Sequence, residues 1–290
     1  MQQYLDLVNQ VLTEGELKTT RQGTDAYTIA GAMFKHDLQN GYPLLTTKKM
    51  PFKIIAAELE FFLKGITDKQ WLLDRNCHIW DEWCNPKKVP YAHDELTKQK
   101  MLQERDLGAI YGFQWRHFNA PYENYNTDYS HAGLDQLKTV IETLKTNPHD
   151  RRMLVMAWNP LMSDQMAIPP CHYCWQVTVI DGRLNLLWNQ RSVDLMLGLP
   201  FNIASYALLL HLLAKEAGLK EGKLIGFLAD VHLFTNHQEG AKEQLTRNPR
   251  QYPLPRLETS NFTSIFDWQY TDSQVVGYES HPRISFPIAI

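Results

Sequence analysis

The chain has 290 residues, 44% of them hydrophobic and 21% charged, with a formal net charge of -3. That composition is ordinary for a soluble globular protein with room for one large core, and the slight acidic excess argues against general nucleic-acid binding. No apolar run is long enough to cross a bilayer, Met1-Gln2-Gln3-Tyr4 begins no signal peptide, and the sparse cysteines Cys77, Cys84, Cys171 and Cys174 fit a reducing cytoplasm better than a disulfide framework.

Tyr4, Leu5, Leu7, Val8, Val11 and Leu12 recur at helical spacing and predict a packing helix ending near Glu14-Gly15. Arg21-Gln22-Gly23-Thr24 reads as a loop, followed by strands over 27–30 and 33–38 and a turn at Gly41-Tyr42-Pro43. Residues 51–64 predict a helix that is apolar almost all round and therefore buried. Glu58 and Glu60 are anomalous inside it, because an unpaired polar group taken out of water costs about 2 to 7 kcal/mol. Two residues apart, they point to different faces.

Residues 78–84 form an aromatic, acidic loop, and the charged, proline-containing stretch 85–107 reads as an insertion with one helix over 94–104. Residues 108–116 are glycine-flanked and aromatic, with Tyr111 suited to a core place. A loop over 119–130 leads to an amphipathic helix over 134–146. Asp150-Arg151-Arg152 then precedes a strand over 153–158, and two adjacent arginines there read most simply as a solvated pair.

The most informative stretch follows. Strands over 175–180 and 184–188 flank Asp181-Gly182, a type I′ turn signal, so Cys171 and Arg191 stand at the two open ends of a hairpin and are expected to be neighbours. A guanidinium beside a thiol favours thiolate. Pro169-Pro170 stiffen the backbone before Cys171, and Arg191-Ser192 offers a fork and a hydroxyl suited to phosphate. Residues 202–218 predict a long amphipathic helix on which Asn202 is either an N-cap or a reader of a polar edge. A strand over 224–228, a helix from Thr235, strands around Ile265 and Val275, and a short apolar terminus complete the chain.

The runs PPCH at 169–172, QRSVDLMLGLPFNIASY at 190–206 and DVHLFTNH at 230–237 resemble the thymidylate synthase family. So do RQGT at 21–24, PLLTTKK at 43–49, IWDEW at 79–83, GAIYGFQWR at 108–116, DRR at 150–152 and PIAI at 287–290, all in the same order and over nearly the whole chain. The resemblance implies an α+β fold, one catalytic domain over 1–290 with a large mixed sheet flanked by helices, and a sheet face that forms a homodimer interface. It implies reductive methylation of dUMP to dTMP with 5,10-methylenetetrahydrofolate as co-substrate and no metal.

Residue by residue, the resemblance makes Cys171 the nucleophile, with Glu58, Tyr111, Arg191, Asn202 and Asp194 as its catalytic companions. Arg21, Arg191, Ser192, Asp194, Asn202, His232 and Phe234 would bind the nucleotide, with Arg151 and Arg152 supplied to the partner's phosphate site. Ile79, Trp80, Ile168, Asp194, Leu197, Gly198, Phe201 and Ala289 would bind the folate. The Asn202 carboxamide complements the N–H and carbonyl of a uracil edge, and because family members that act on cytosine nucleotides carry aspartate there, the resemblance favours dUMP over dCMP. Glu60, Tyr173, Asn189 and Phe234 depart from the family pattern, Phe234 replacing a tyrosine.

Three alternatives stand beside this reading. A hydroxymethylase of the same fold would capture the one-carbon unit with water instead of hydride. A zinc nucleotide deaminase would use His93-Asp94-Glu95 and the Pro-Cys-x-x-Cys run at 170–174, although a strand there sends Cys171 and Cys174 to opposite faces. A non-catalytic nucleotide-binding dimer is the third.

Overall fold

A computed structural model describes residues 1–20 and 23–288. In chain order the elements are α1 (Gln2–Glu14), β1 (Glu16–Lys18), β2 (Ala26–Asp37), α2 (Phe52–Leu63), α3 (Lys69–Leu73), α4 (Glu95–Gln103), α5 (Tyr111–His117), α6 (Gln136–Thr146), β3 (Leu154–Met156), β4 (His172–Ile180), β5 (Arg183–Asp194), α7 (Gly198–Ala217), β6 (Lys220–Phe234), α8 (Gln238–Leu245), β7 (Arg256–Thr259) and β8 (Ser273–Val276). Contacts gather them into two compact units. The first holds Met1–Phe52, Val179–Ser260 and the described residues from Ser273 on; the second holds Lys53–Thr178 and Asn261–Asp272.

The first unit is built on a mixed sheet in the order β1-β2-β6-β5. β2 pairs antiparallel with β1 and β6, and β5 runs parallel to β6. α7 packs on β5 and β6, and α1 on β2 and β6. α1 forms because Tyr4, Leu5, Leu7, Val8 and Val11 make one buried stripe. The expected α+β class, a mixed sheet flanked by helices, is the one observed.

Phe34, Gly226 and Trp188 sit in one row across β2, β6 and β5, with the Trp188 ring stacked on Tyr206 of α7 at 5.4 Å. A Cβ on Gly226 would lie 2.4 Å from two Trp188 ring atoms, and that indole is held by its hydrogen bond to Gln190. Gly226→Ala is therefore expected to destabilise the protein by about 1 to 3 kcal/mol, read as a lower denaturant midpoint at unchanged slope. On the opposite sheet face Met33 is 50% exposed and Phe227 44% exposed, and the two are register partners.

In the second unit β4 pairs antiparallel with β3, Val155 opposite Trp175. Its last two residues, Val179 and Ile180, belong to the first unit, where the turn follows. Asp181 at φ 52° and Gly182 at φ 68° both take left-handed backbone, as a type I′ turn requires. Aromatic rings fill this unit's core: Phe62 meets Trp115 at 5.8 Å, and Trp115 meets Trp175 at 5.6 Å.

Several elements differ from their sequence expectation. The strands expected over 27–30 and 33–38 are one strand, β2, in which Gly31 at φ 81° leaves the register with β6 unchanged on either side. Residues 224–228 are the middle of the 15-residue β6. α7 begins at Gly198, so Asn202 lies inside the helix and is no N-cap. Pro200 is compatible with that start because first-turn N–H groups lack intrahelical partners anyway. α7 is also not amphipathic: Leu199, Pro200 and every residue from Ile203 to Ala214 are buried. No described strand contains Ile265, a buried turn residue; β7 and β8 form the tail's two-stranded sheet.

Candidate active site

In the second unit the side chains gather around Phe62 of α2. Tyr111, the first residue of α5, stacks on Phe62 at 5.0 Å and on His172 at 4.3 Å. Its hydroxyl accepts a 2.8 Å hydrogen bond from the backbone N–H of Cys171. The backbone bearing the thiol is thus tied to Tyr111, immediately before β4 begins. Cys77, Cys84 and Cys174 are buried, whereas Cys171 is partly exposed. Burial pushes the Cys77 thiol up to about 12, aided by the nearby Glu58 charge, and the Cys84 thiol to about 11. Dense packing lowers His172 to about 3, so its ring is neutral.

Trp80 meets both Phe62 and Tyr111 edge-on, at 6.4 and 6.1 Å, and donates its indole N–H to Glu58 at 2.9 Å. Burial raises the Glu58 carboxyl to about 7, with the Trp80 hydrogen bond acting against the shift. Glu58 is therefore poised between its two protonation states near neutrality. Glu60 has a different task. It is 1% exposed, pairs with Lys64, and accepts the Tyr270 N–H at 2.8 Å, fastening the 261–272 segment to α2.

Ile79 and Ile168 are both partly exposed. Arg151 and Arg152 are exposed just before β3, and Asp150 grips the Arg152 guanidinium through two bonds of 2.7 and 3.1 Å. That guanidinium holds the Asp150 carboxyl down at about 2. A separate cavity of about 650 Å³ lies in this unit, but Lys64 and Arg116 on its wall are already paired with Glu60 and Asp135.

In the first unit the polar residues lie along β5 and the start of α7. An indole N–H can only donate, so the 3.1 Å contact between Trp188 and Gln190 fixes the Gln190 oxygen toward the ring. The Gln190 NH₂ then faces Asn202 and donates to its Oδ1 at 3.0 Å. Asn202 is left with its NH₂ and one lone pair of Oδ1 to offer. Gln190 is a residue that sequence reasoning missed; its signal is a buried carboxamide in an otherwise apolar strand position.

Asp194 accepts from the N–H groups of Met196 and Leu197 at 3.0 and 3.1 Å and so shapes the turn into α7. Leu197, just before that helix, and Gly198 and Phe201 on its first turn are partly exposed, as are Arg191 and Ser192 on β5. Lys48, also missed, donates to the Met196 carbonyl; burial lowers its ammonium to about 8 against the opposing pull of Asp194. His232 bonds Asp230 at 2.9 Å, and Phe234, 4% exposed, packs edge-on against His232 and His237. His237 in turn contacts the Pro287 carbonyl at 2.7 Å. Arg21 and Ala289, expected in the nucleotide and folate sites, lie outside the described residues. Among the described residues no group of three or more His, Cys, Asp or Glu side chains gathers as a metal site.

The sequence model described as Thymidylate synthase matches residues 2–290. The chain is also 43% identical, over 288 residues, to a bifunctional dihydrofolate reductase-thymidylate synthase of Paramecium tetraurelia, covering 99% of this chain and 61% of that protein. The chain belongs to the thymidylate synthase family. It spans about three fifths of the length of that curated relative, 61%.

Proposed function

We propose that this protein converts dUMP to dTMP, taking the one-carbon unit and a hydride from 5,10-methylenetetrahydrofolate and releasing dihydrofolate. The observation that carries the reading is an accessible Cys171 tied to Tyr111 in the same ring cluster as a near-neutral Glu58. The Cys171 thiolate adds to the sixth ring carbon, and the fifth carbon then attacks the folate's methylene. Asn202, oriented by Gln190, stabilises the enolate, while Glu58 and Tyr111 move protons to and from the ring. The fifth-carbon proton and the tetrahydrofolate leave, the folate returns hydride to the exocyclic methylene, and the thiolate is expelled.

In this proposal Arg21, Arg191 and Ser192 take the phosphate, His232 with Phe234 beside it flanks the sugar, and Asp194 holds the pterin ring. Ile79, Trp80, Ile168, Leu197, Gly198, Phe201 and Ala289 line the folate site. The whole chain acts as one catalytic domain, with 85–107 as an insertion. Among the described residues no helix is long and apolar enough to cross a membrane. Four free thiols accord with a cytoplasmic setting.

Incubation with dUMP and the folate tests the function: dTMP with equimolar dihydrofolate supports it, and hydroxymethyl-dUMP without dihydrofolate would replace it with the hydroxymethylase reading. We also propose a homodimer closed by the apolar face around Met33 and Phe227, with Arg151 and Arg152 reaching the partner's phosphate site. Mixing inactive Cys171→Ala and Arg151→Ala chains is then expected to restore activity, toward about a quarter of wild type when subunits exchange at random and both defects lie in one shared site. No recovery after verified exchange sinks the shared-site arrangement.

A further inference from the structure

Lys69 opens α3 and is only 2% exposed. An ammonium removed from water needs an acceptor for each of its three N–H bonds, and Lys69 has three. They are the backbone carbonyls of Asp81 at 2.7 Å, Trp83 at 3.1 Å and Met101 at 2.9 Å. Two of these belong to the loop that carries Ile79 and Trp80; the third belongs to α4, inside the 85–107 segment. One buried cation therefore joins two stretches of chain that have no regular secondary structure in common.

The same two stretches are tied a second time. The Tyr91 hydroxyl lies 2.6 Å from the Cys84 carbonyl and also reaches the Ala167 carbonyl, next to Ile168. Its ring packs edge-on against Trp83 at 6.0 Å. The base of the segment is anchored by the backbone: Lys69 N–H donates to Arg105 O at 2.8 Å and Leu107 N–H to Thr67 O at 3.0 Å. Between 78 and 84 the backbone has only two turn hydrogen bonds of its own, from Asp81 to His78 and from Trp83 to Trp80. Beyond these and the His78–Asp81 side-chain contact at 2.9 Å, the hydrogen bonds that hold this loop in place come from outside it.

We infer that Lys69 is a positioning residue for the folate, its ammonium fixing the Asp81 and Trp83 carbonyls against the 85–107 segment so that the Ile79 and Trp80 surface is presented in one arrangement. This rests on the reading of Ile79 and Trp80 as folate contacts. Lys69 itself touches no substrate. Charge-assisted bonds to three carbonyls are stronger than neutral ones, and removing the cation leaves those oxygens without their partner, so the loop shifts to find water. The 85–107 segment, which carries no chemistry of its own, becomes the frame for one wall of the site.

Full-length Lys69→Met and Tyr91→Phe proteins test this by steady-state kinetics and by amide hydrogen exchange over 78–84. The folate KM is expected to rise about tenfold in Lys69→Met and about threefold in Tyr91→Phe, with the dUMP KM within about twofold of wild type. Exchange should accelerate over 78–84 while α2 stays protected. Unchanged folate KM and unchanged loop exchange in both variants overturn the inference, as does an equal loss toward both substrates. Tyr91→Phe, at a 41% exposed side chain, carries the test if Lys69→Met fails to fold. A wild-type chain without turnover would count against the proposed function instead, and loop exchange in the variants would then decide the role of Lys69 separately.

Discussion

Cys171→Ser is expected to lower kcat by on the order of 10⁴-fold or more while dUMP still binds, because a hydroxyl at neutral pH supplies almost none of the anionic nucleophile that the first bond requires. The change removes little volume at a partly exposed position and leaves the backbone N–H that donates to Tyr111, so folding should be spared. Mass spectrometry gives the sharper readout. Wild type incubated with the 5-fluorinated nucleotide and methylenetetrahydrofolate should gain the mass of both as a covalent complex on the Cys171 peptide. The serine variant should gain none. Full turnover by the serine variant, or an adduct on Cys77, Cys84 or Cys174, would overturn the assignment.

Glu58→Gln carries the second large effect. Losing a proton-transfer group is expected to cost about 10² to 10⁴ in kcat, and the limb of the wild-type rate profile centred near pH 7 should vanish with it. Stability should move the other way. The folded carboxyl titrates at about 7 against an ordinary 4.5, so the folded state holds its proton more tightly than the unfolded chain. The contribution of neutral Glu58 is thus complete below pH 4.5 and is lost as pH rises through 7, an effect of up to about 3 kcal/mol. Melting temperatures of the two proteins should nearly coincide at pH 5 and separate by pH 8, with the glutamine variant higher. An equal gap at both pH values would mean that Glu58 is not held near neutrality by burial.

Glu58 also shows how far the residues alone reach. The apolar pattern of its helix marks both Glu58 and Glu60 as anomalous without separating them; only the structure pairs Glu60 with Lys64 and leaves the carboxyl raised to about 7 at Glu58. The identity of its hydrogen-bond donor does not follow, since Trp80 is 22 residues away along the chain. The α1 stripe and the Asp181-Gly182 turn were legible because each depends on residues within a few positions of one another. Gly31 and the Gly198-Leu-Pro run misled because each resembles a chain break locally. The register of β6 carries β2 through the first, and α7 simply starts within the second.

The motif order proposes Cys171, Asn202 and their companions as site residues, yet it gives them no orientation. Asn202 reads as a possible end cap in the sequence, but α7 begins at Gly198, and the Asn202 amide direction depends on Gln190, whose own direction depends on the Trp188 indole. Glu60 shows the same gap, a departure from the family pattern with no account in the sequence, its partners being Lys64 and the Tyr270 N–H in the folded chain.

By itself, the order of residues determined the chemical inventory: a thiol after two prolines, a carboxyl inside an apolar helix, a carboxamide near a glycine-proline turn, and the short-range hydrogen bonds that make turns and helix faces. Only tertiary packing decided that Cys171, Tyr111, Trp80 and Glu58 share one cluster, which cysteines are shielded, and which carbonyls surround Lys69. The physical reason is that local structure is set by dihedral preference and by neighbours in the chain. Protonation, accessibility and amide direction are set by groups far along the chain that come close only when the core excludes water.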